Sequence, residues 1–543
     1  MMANLAHTID KDAVSKALQC AQINFENRLF QCFDIIFMPI SLYITNRGVM
    51  ITHYFLTSQI DENTSAIEIA EIQRLHLFSK LKVPAKIVTR NRNRGSNRVL
   101  QQLIDNHQII NLYQYFTELP NQTEPMPKAE DVLHDFTNIP IENNLGYKDG
   151  KLRVRVNEQN GWINNIDYLD PFGFTDRRDL YDFNQRVSSE YFDDHAKLIT
   201  RVFYQKDGHI VMTEYYRGGP GNQPVLTLIH LRHNGRLWQF DNQDELMGYF
   251  LDCLATDDSN ATFYSDREDV AIPAFKLMTK PAKRYLILHS IFTQNAKHDG
   301  ELFPYFQQAI ELKDKLSGII VSTQQEASDI QSRFPMVQTT VIPVSYLDDQ
   351  LIHQSESFSD RIPGKVIAVA RITPLKQLSH IIQAIILVHQ HLPFVTLDIY
   401  GYENVNDFQE GNKLRQLVKT SGAESYITFK GYVHDLASVY QHADLLTLTS
   451  SYEGFAMAIL EALGYGCPVL SYDINYGPAE MIQDKHNGEL ITAGDERELY
   501  RRLLHLLTHR EILQRYGQNA PASVEKYSAS HVQQMWHNFI QNQ

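Results

Sequence analysis

The sequence predicts an α/β chain with two doubly wound parallel-sheet domains, the first interrupted by an antiparallel sheet, and three observations carry that prediction. A strand, a polar loop, an amphipathic helix and a second strand follow one another between residues 49 and 89, the opening of a parallel βαβ unit. Hairpin turn signals, Lys-Asp-Gly at 148–150 and 206–208 and Asn-Gly at 160–161 and 234–235, then punctuate short alternating apolar runs. Beyond residue 363 strand-like runs again alternate with helical patterns.

In order, Val49 to Thr57 reads as a buried strand, Ser65 to Leu81 carries apolar residues at helical spacing, and Lys86 to Thr89 is the next strand. The turn-rich segment offers strands at Leu152 to Val156, Ile163 to Leu169, Leu198 to Gln205, His209 to Tyr216 and Val225 to Leu231. Helical Asp244 to Ala255, strand Tyr285 to Leu288, helical Phe303 to Leu316 and strand Gly318 to Ser322 complete the first α/β domain. Residues 346–363 are polar and aperiodic, as linkers are. The second domain has strands at Val366 to Ala370, Thr396 to Tyr400, Ile427 to Lys430, Leu445 to Thr449 and Pro468 to Tyr472. The expected organisation is an extension over 1–48, a first Rossmann-like domain over 49–120 and 236–345, a β insertion over 121–235, and a second Rossmann-like domain over 346–543.

The bulk properties narrow the function. A chain of 543 residues, 43% hydrophobic and 21% charged, exceeds one core and has an ordinary globular composition. A formal charge of -14 argues against a nucleic-acid partner held through its phosphates. Cys20, Cys32, Cys253 and Cys467 form no CxxC pair, so neither a zinc site nor a disulfide framework is expected, and a reducing cytoplasm fits. The apolar stretch Ile35 to Ile44 is about half the length of a spanning helix and contains Pro39, so no transmembrane segment or export signal is expected.

In a doubly wound sheet, ligands bind beyond the carboxyl ends of the strands. After the first strand of the second domain come Arg371 and Lys376, next to a helix N-terminus whose amides also favour an anion. A diphosphate suits that arrangement; the plainer reading is two solvated loop charges. Glu453 and Glu461 are separated by seven residues at a strand-to-helix turn. Were the whole stretch helical, the two carboxylates would stand about 12 Å apart along the axis. They would then hold separate parts of an elongated ligand rather than flank one glycosidic bond. Glu461, between Leu460 and Leu463 in an apolar helix, is a costly place for an unpaired carboxylate.

Together these residues resemble the retaining GT-B nucleotide-sugar transferases of glycosyltransferase family 4. The resemblance rests on Arg371 and Lys376, on Glu453 and Glu461 with the intervening Gly454, Phe455 and Ala456, on the strand end Phe429-Lys430-Gly431-Tyr432, and on Asn475-Tyr476-Gly477-Pro478. It implies that Arg371 and Lys376 hold the donor diphosphate, that Glu453 contacts the donor sugar, and that Glu461 binds the ribose. Gly431, Tyr432, Gly454, Phe455 and Ala456 would line the nucleotide-sugar site. In the first domain His289, at a strand end, resembles the family histidine that borders the donor sugar, with a core or surface histidine as the alternative. The loop Asp61 to Ile67 stands where the family has a glycine-containing loop, but Ala66 occupies the place of a glycine.

The β insertion, including Tyr168 to Leu180 and Thr200 to Gly208, narrows the resemblance to bacterial wall teichoic acid α-glycosyltransferases and their relatives that O-glycosylate serine-rich adhesins. It implies a cytoplasmic enzyme, at the inner face of the membrane, that uses UDP-glucose or UDP-N-acetylglucosamine with no metal or other cofactor. The acceptor would be a polyol-phosphate polymer or a serine-rich protein, and the insertion would build a homo-oligomer such as a trimer. Rival readings are a non-catalytic GT-B partner subunit and a mainly structural assembly protein. A polyanionic acceptor requires local basic residues, and Lys151, Arg153, Arg155, Arg177, Arg178 and Arg201, with Arg90, Arg92 and Arg94, are the candidates. Scattered solvated charges on a wet sheet face are the alternative.

Overall fold

Two parallel sheets and one antiparallel sheet organise the chain in a computed structural model, which describes residues 51–60, 66–91, 106–119, 132, 138–159, 161–182, 184–352, 358–403 and 409–543. The extension over 1–48, the loop residues Asp61 to Ser65, Arg92, Arg94, Cys20 and Cys32 lie outside the described residues.

The first sheet has seven strands in the spatial order Thr339–Val341, Gly318–Val321, Lys283–Ile287, Thr262–Ser265, His53–Thr57, Ala85–Thr89, Ile109–Asn111, every pair parallel. The order reverses between His53–Thr57 and Thr262–Ser265, where a crevice opens at the carboxyl ends. These two strands are buried along their whole length, as strands covered by helices on both faces must be.

The second sheet has six parallel strands in the order Ile427–Gly431, Thr396–Tyr400, Lys365–Val369, Leu445–Leu448, Val469–Asp473, Gly488–Thr492. Its reversal lies between Lys365–Val369 and Leu445–Leu448, so the loops that begin at Ala370 and at Thr449 flank the second crevice.

Between them the insertion is a ten-stranded antiparallel meander in strict sequence order, from Ile141–Glu142 to Arg236–Phe240. Its last strand runs past the expected limit at 235. Thr175–Asp182 and Gln185–Phe192 are also strands, although their sequences, TDRRDLYD and QRVSSEYF, lack a clean apolar alternation. They bury carboxylates against arginines instead: Asp167, Asp179, Glu190 and Glu214 are all buried. One face of the meander joins the first domain's core through Phe203, Val211, Met212, Ile229 and Leu231, which cluster with Phe250 and Leu251 of the helix Gln243–Asp257.

The C-terminal helix Ala529–Gln541 packs on the first sheet's layer rather than the second's. Trp536 meets Phe78 and Tyr264 at ring-centroid distances of 5.4 and 5.8 Å, and Phe539 meets Tyr285 at 5.2 Å. The chain thus crosses between the sheets twice, and the two crossings are bonded to each other: Leu347 N–H donates to the Tyr527 carbonyl at 2.9 Å and Ala529 N–H to the Leu347 carbonyl at 2.8 Å. Among the described residues no helix is long and apolar enough to cross a membrane.

Candidate functional site

The loop after Lys365–Val369 passes through Arg371, forms a short 3-10 turn at Pro374–Lys376, and enters the helix Leu378–His391. Gly401 must be glycine here, because a Cβ on it would stand 1.9 Å from the Ala370 carbonyl oxygen. Arg371 is exposed. Lys376 is mostly covered and its Nζ lies 2.7 Å from Glu453 Oε1. Ser450 Oγ donates to the same oxygen at 2.6 Å, and Thr449 Oγ1 donates to the Lys376 carbonyl at 3.1 Å. The carboxylate therefore meets a cation and a hydroxyl at once, a charge-assisted cluster held at the second sheet's reversal point.

The helix after the strand-to-helix turn begins at Met457, between the two glutamates. Glu453 precedes it in an extended loop whose N–H donates to the Asn475 carbonyl at 2.9 Å, so the 12 Å axial spacing derived from an all-helical stretch does not apply. Ala456 caps the helix with φ +65°, and Phe455 is buried against Tyr527 at 5.4 Å. Glu461 lies one helical segment on and accepts from Tyr440 Oη at 2.7 Å. Burial pushes the Glu461 carboxyl above the usual carboxylate range, against the pull of that hydrogen bond. Tyr440 is the partner that the sequence did not reveal, since nothing in the spacing of 440 and 461 links them. Gly431 has φ +72° with open space around it, and Tyr432 beside it is half exposed and meets Tyr402 edge-on at 6.0 Å.

Across the crevice, His289 follows Lys283–Ile287, and its Nε2 lies 2.6 Å from Asp266 Oδ1, just beyond Thr262–Ser265. Arg74, from the helix Ala66–Lys80, reaches the same carboxylate with Nη1 to Oδ2 at 2.8 Å and Nη2 to Oδ1 at 2.5 Å. Burial would push the Asp266 carboxyl up, but Arg74 and His289 outweigh it and hold it at about 2. The two crevices face one another. A Cβ on Gly454 would stand 2.1 Å from the His289 carbonyl oxygen, Asn475 Nδ2 donates to the Ala296 carbonyl at 2.8 Å, and Tyr476 Oη donates to Asp329 at 2.9 Å.

Two parallel-sheet domains closing on one crevice, with paired charges at both reversal points, are the GT-B arrangement, and the comparisons agree. Residues 350–523 match the family model described as Glycosyl transferases group 1. The chain has the GT-B fold, with the glycosyl transferases group 1 match lying over its second domain. It is 27% identical over 470 residues to the UDP-N-acetylglucosamine--peptide N-acetylglucosaminyltransferase GtfA subunit of Streptococcus gordonii, covering 81% of this chain and 87% of that protein. It is 22% identical to the poly(ribitol-phosphate) alpha-N-acetylglucosaminyltransferase of Staphylococcus aureus, covering 90% and 99%. A crystal structure of a point mutant of S. aureus TarM in complex with fondaparinux, alpha-GlcNAc-glycerol and UDP superposes with TM-score 0.73 at 21% identity, over 90% of this chain and 99% of that one.

The structure brings Lys376 and Glu453 together just before Gly454, Phe455 and Ala456, leaves Arg371 exposed on the loop ahead of Lys376, and sets His289 against Gly454. Its insertion treats the basic candidates unequally. Arg178 bonds Asp167 at 2.6 Å, Arg177 bonds Asp179 at 3.1 Å, and Arg201 bridges Glu190 and Glu214 at 2.8 and 3.1 Å. These three arginines neutralise buried carboxylates, so they are not the free cations expected on the sheet face. Arg90 is likewise paired, with Asp269 at 3.1 Å. Among the described residues Lys151 and Arg153 donate to backbone carbonyls, of Pro171 and Leu169, and Lys151 and Arg155 line a cavity of about 560 Å³ beside the exposed Phe172. A second cavity, about 670 Å³, is walled by Tyr115, Trp238 and Tyr249 and contains none of the motif residues.

Proposed function

We propose that the enzyme transfers glucose or N-acetylglucosamine from a UDP-sugar, with retention, to a hydroxyl of a polyol-phosphate wall polymer. The single observation behind the donor half is the convergence of Lys376, Ser450 and Glu453 at the second sheet's reversal point, with Arg371 on the loop that leads to Lys376. The UDP seen with TarM under the same fold supports it. In this reading Arg371 and Lys376 stabilise the leaving diphosphate in place of a metal, and Glu453 and His289 border the sugar. Glu461 takes the ribose, and Gly431, Tyr432, Gly454, Phe455 and Ala456 line the site. The acceptor hydroxyl passes its proton to the leaving phosphate on the same face.

The acceptor half rests on the similarity to a poly(ribitol-phosphate) transferase over 90% of the chain, insertion included, and on Lys151, Arg153 and Arg155, whose charges no carboxylate cancels among the described residues. A cytoplasmic enzyme working at the inner membrane face and assembling through its insertion completes the proposal. The second reading, transfer to a serine-rich protein, is favoured by the 27% identity to a peptide N-acetylglucosaminyltransferase subunit.

Purified protein supplied with UDP-glucose or UDP-N-acetylglucosamine should release UDP faster when polyol-phosphate polymer is added, and the polymer should gain label. Labelling of a serine-rich peptide, with none of the polymer, would replace the first reading by the second. No release from any UDP-sugar would return the chain to a non-catalytic partner.

A further inference from the structure

We propose that Asp266 is a positioning residue that fixes the tautomer and orientation of His289, an inference that rests on the reading of His289 as bordering the donor sugar. The geometry is a buried line of three groups. Arg74 grips both Asp266 oxygens, and Oδ1 is shared with His289 Nε2 at 2.6 Å. The Asp266 side chain is wholly buried and the His289 side chain 12% exposed.

A carboxylate held this firmly in its ionised form only accepts hydrogen bonds, so the proton between the two groups sits on Nε2. In the neutral ring the opposite nitrogen, Nδ1, is then left with a free lone pair. It has no partner among the described residues. Arg74 is itself immobilised, its guanidinium lying 4.9 Å from the Phe55 ring and 5.5 Å from the Trp536 ring. The other acids nearby do not compete for it. Glu68 pairs with Arg267, and burial pushes the Glu71 carboxyl well above the usual range, with Asp266 adding to the effect. The His289 carbonyl packs against Gly454 of the other domain, so backbone contact fixes one end of this residue and Asp266 the other.

The test uses full-length enzyme labelled with [15N]histidine, the His289 signals being those lost in His289→Gln. The wild type should show the Nε2-protonated tautomer at neutral pH. In Asp266→Asn the guanidinium keeps the one remaining oxygen, so the amide NH2 faces the ring and the proton should move to Nδ1. UDP-sugar turnover should fall about 100-fold in kcat, the order for a misplaced group bordering the reacting centre, with KM for the donor little changed. Arg74→Gln, which spares the Asp266–His289 contact, should retain the wild-type tautomer and more of the turnover. Nδ1 protonation in the wild type overturns the proposal even if the Asn variant does not fold. An unchanged tautomer and kcat in Asp266→Asn overturns it as well. Normal transfer by His289→Gln instead removes the donor-sugar reading of His289 and leaves the tautomer result standing.

Discussion

Lys376 and Glu453 illustrate how much a single pair of residues carries. The ammonium sits 2.7 Å from a carboxylate that Ser450 also holds, so removing the lysine takes one cation from a covered site and leaves the carboxylate fixed. Lys376→Ala should lower UDP-sugar turnover by about 100-fold or more, as should Arg371→Ala, the usual order for a lost charge-stabilising group; steady-state rates of both variants check this. Glu326 gives a prediction about stability. Its two carboxylate oxygens are buried with no hydrogen-bond partner among the described residues, and burial, with Asp329 and Glu480, pushes its carboxyl well above the usual range. A raised folded-state value costs nothing below the unfolded-state value near 4.5 and destabilises increasingly as pH rises above it. Glu326→Gln should therefore stabilise the enzyme by about 1 kcal/mol or more at pH 7 and by less near pH 4, read from denaturant melts at both. At this scale the sequence singled out Lys376 and Glu453, which the structure pairs, because each sits in a short motif after a strand. It hid Asp266 and Tyr440, whose partners are 23 and 21 positions away. It also left Arg177, Arg178 and Arg201 open as free cations, since the buried acids opposite them lie on neighbouring strands that no linear pattern connects.

Elements of the two parallel sheets were legible because buried strands read as unbroken apolar runs and the helices between them keep their period. Thr262–Ser265, Ile109–Asn111 and Thr339–Val341 are too short for either signal. Thr175–Asp182 and Gln185–Phe192 hid because salt bridges replace apolar pairs on their inner face. The C-terminal helix shows the same limit, since its apolar stripe says that it packs but not on which sheet. Trp536→Ala should cost about 3 to 5 kcal/mol, the range for truncating a buried large aromatic, and differential scanning calorimetry should place that loss in the first domain. Gly454→Ala sets a methyl against a backbone carbonyl in the other domain, which has no side chain to yield. It should reduce transfer by about 100-fold through misplacement of the facing loops while the melting temperature stays near the wild-type value.

For the whole molecule, turnover should persist in excess chelator if, as proposed, Arg371 and Lys376 meet the diphosphate; abolition by chelator and recovery on adding magnesium or manganese would reassign that role. Polymer glycosylation should fall steeply between low and high salt while donor hydrolysis changes little, because the polymer is drawn by exposed charge and the donor by a closed site. The two crossings bonded to one another at Leu347 and Ala529 have a mechanical consequence. A pair of chains held side by side permits folding about the line between them, so the expected motion is that of a book bound along one spine. Opening the crevice must swing His289 and Gly454 apart in an arc while residues 347 and 529 stay almost still. Spin labels placed at the free edges should report large distance changes on donor binding, and a pair flanking the spine should report none.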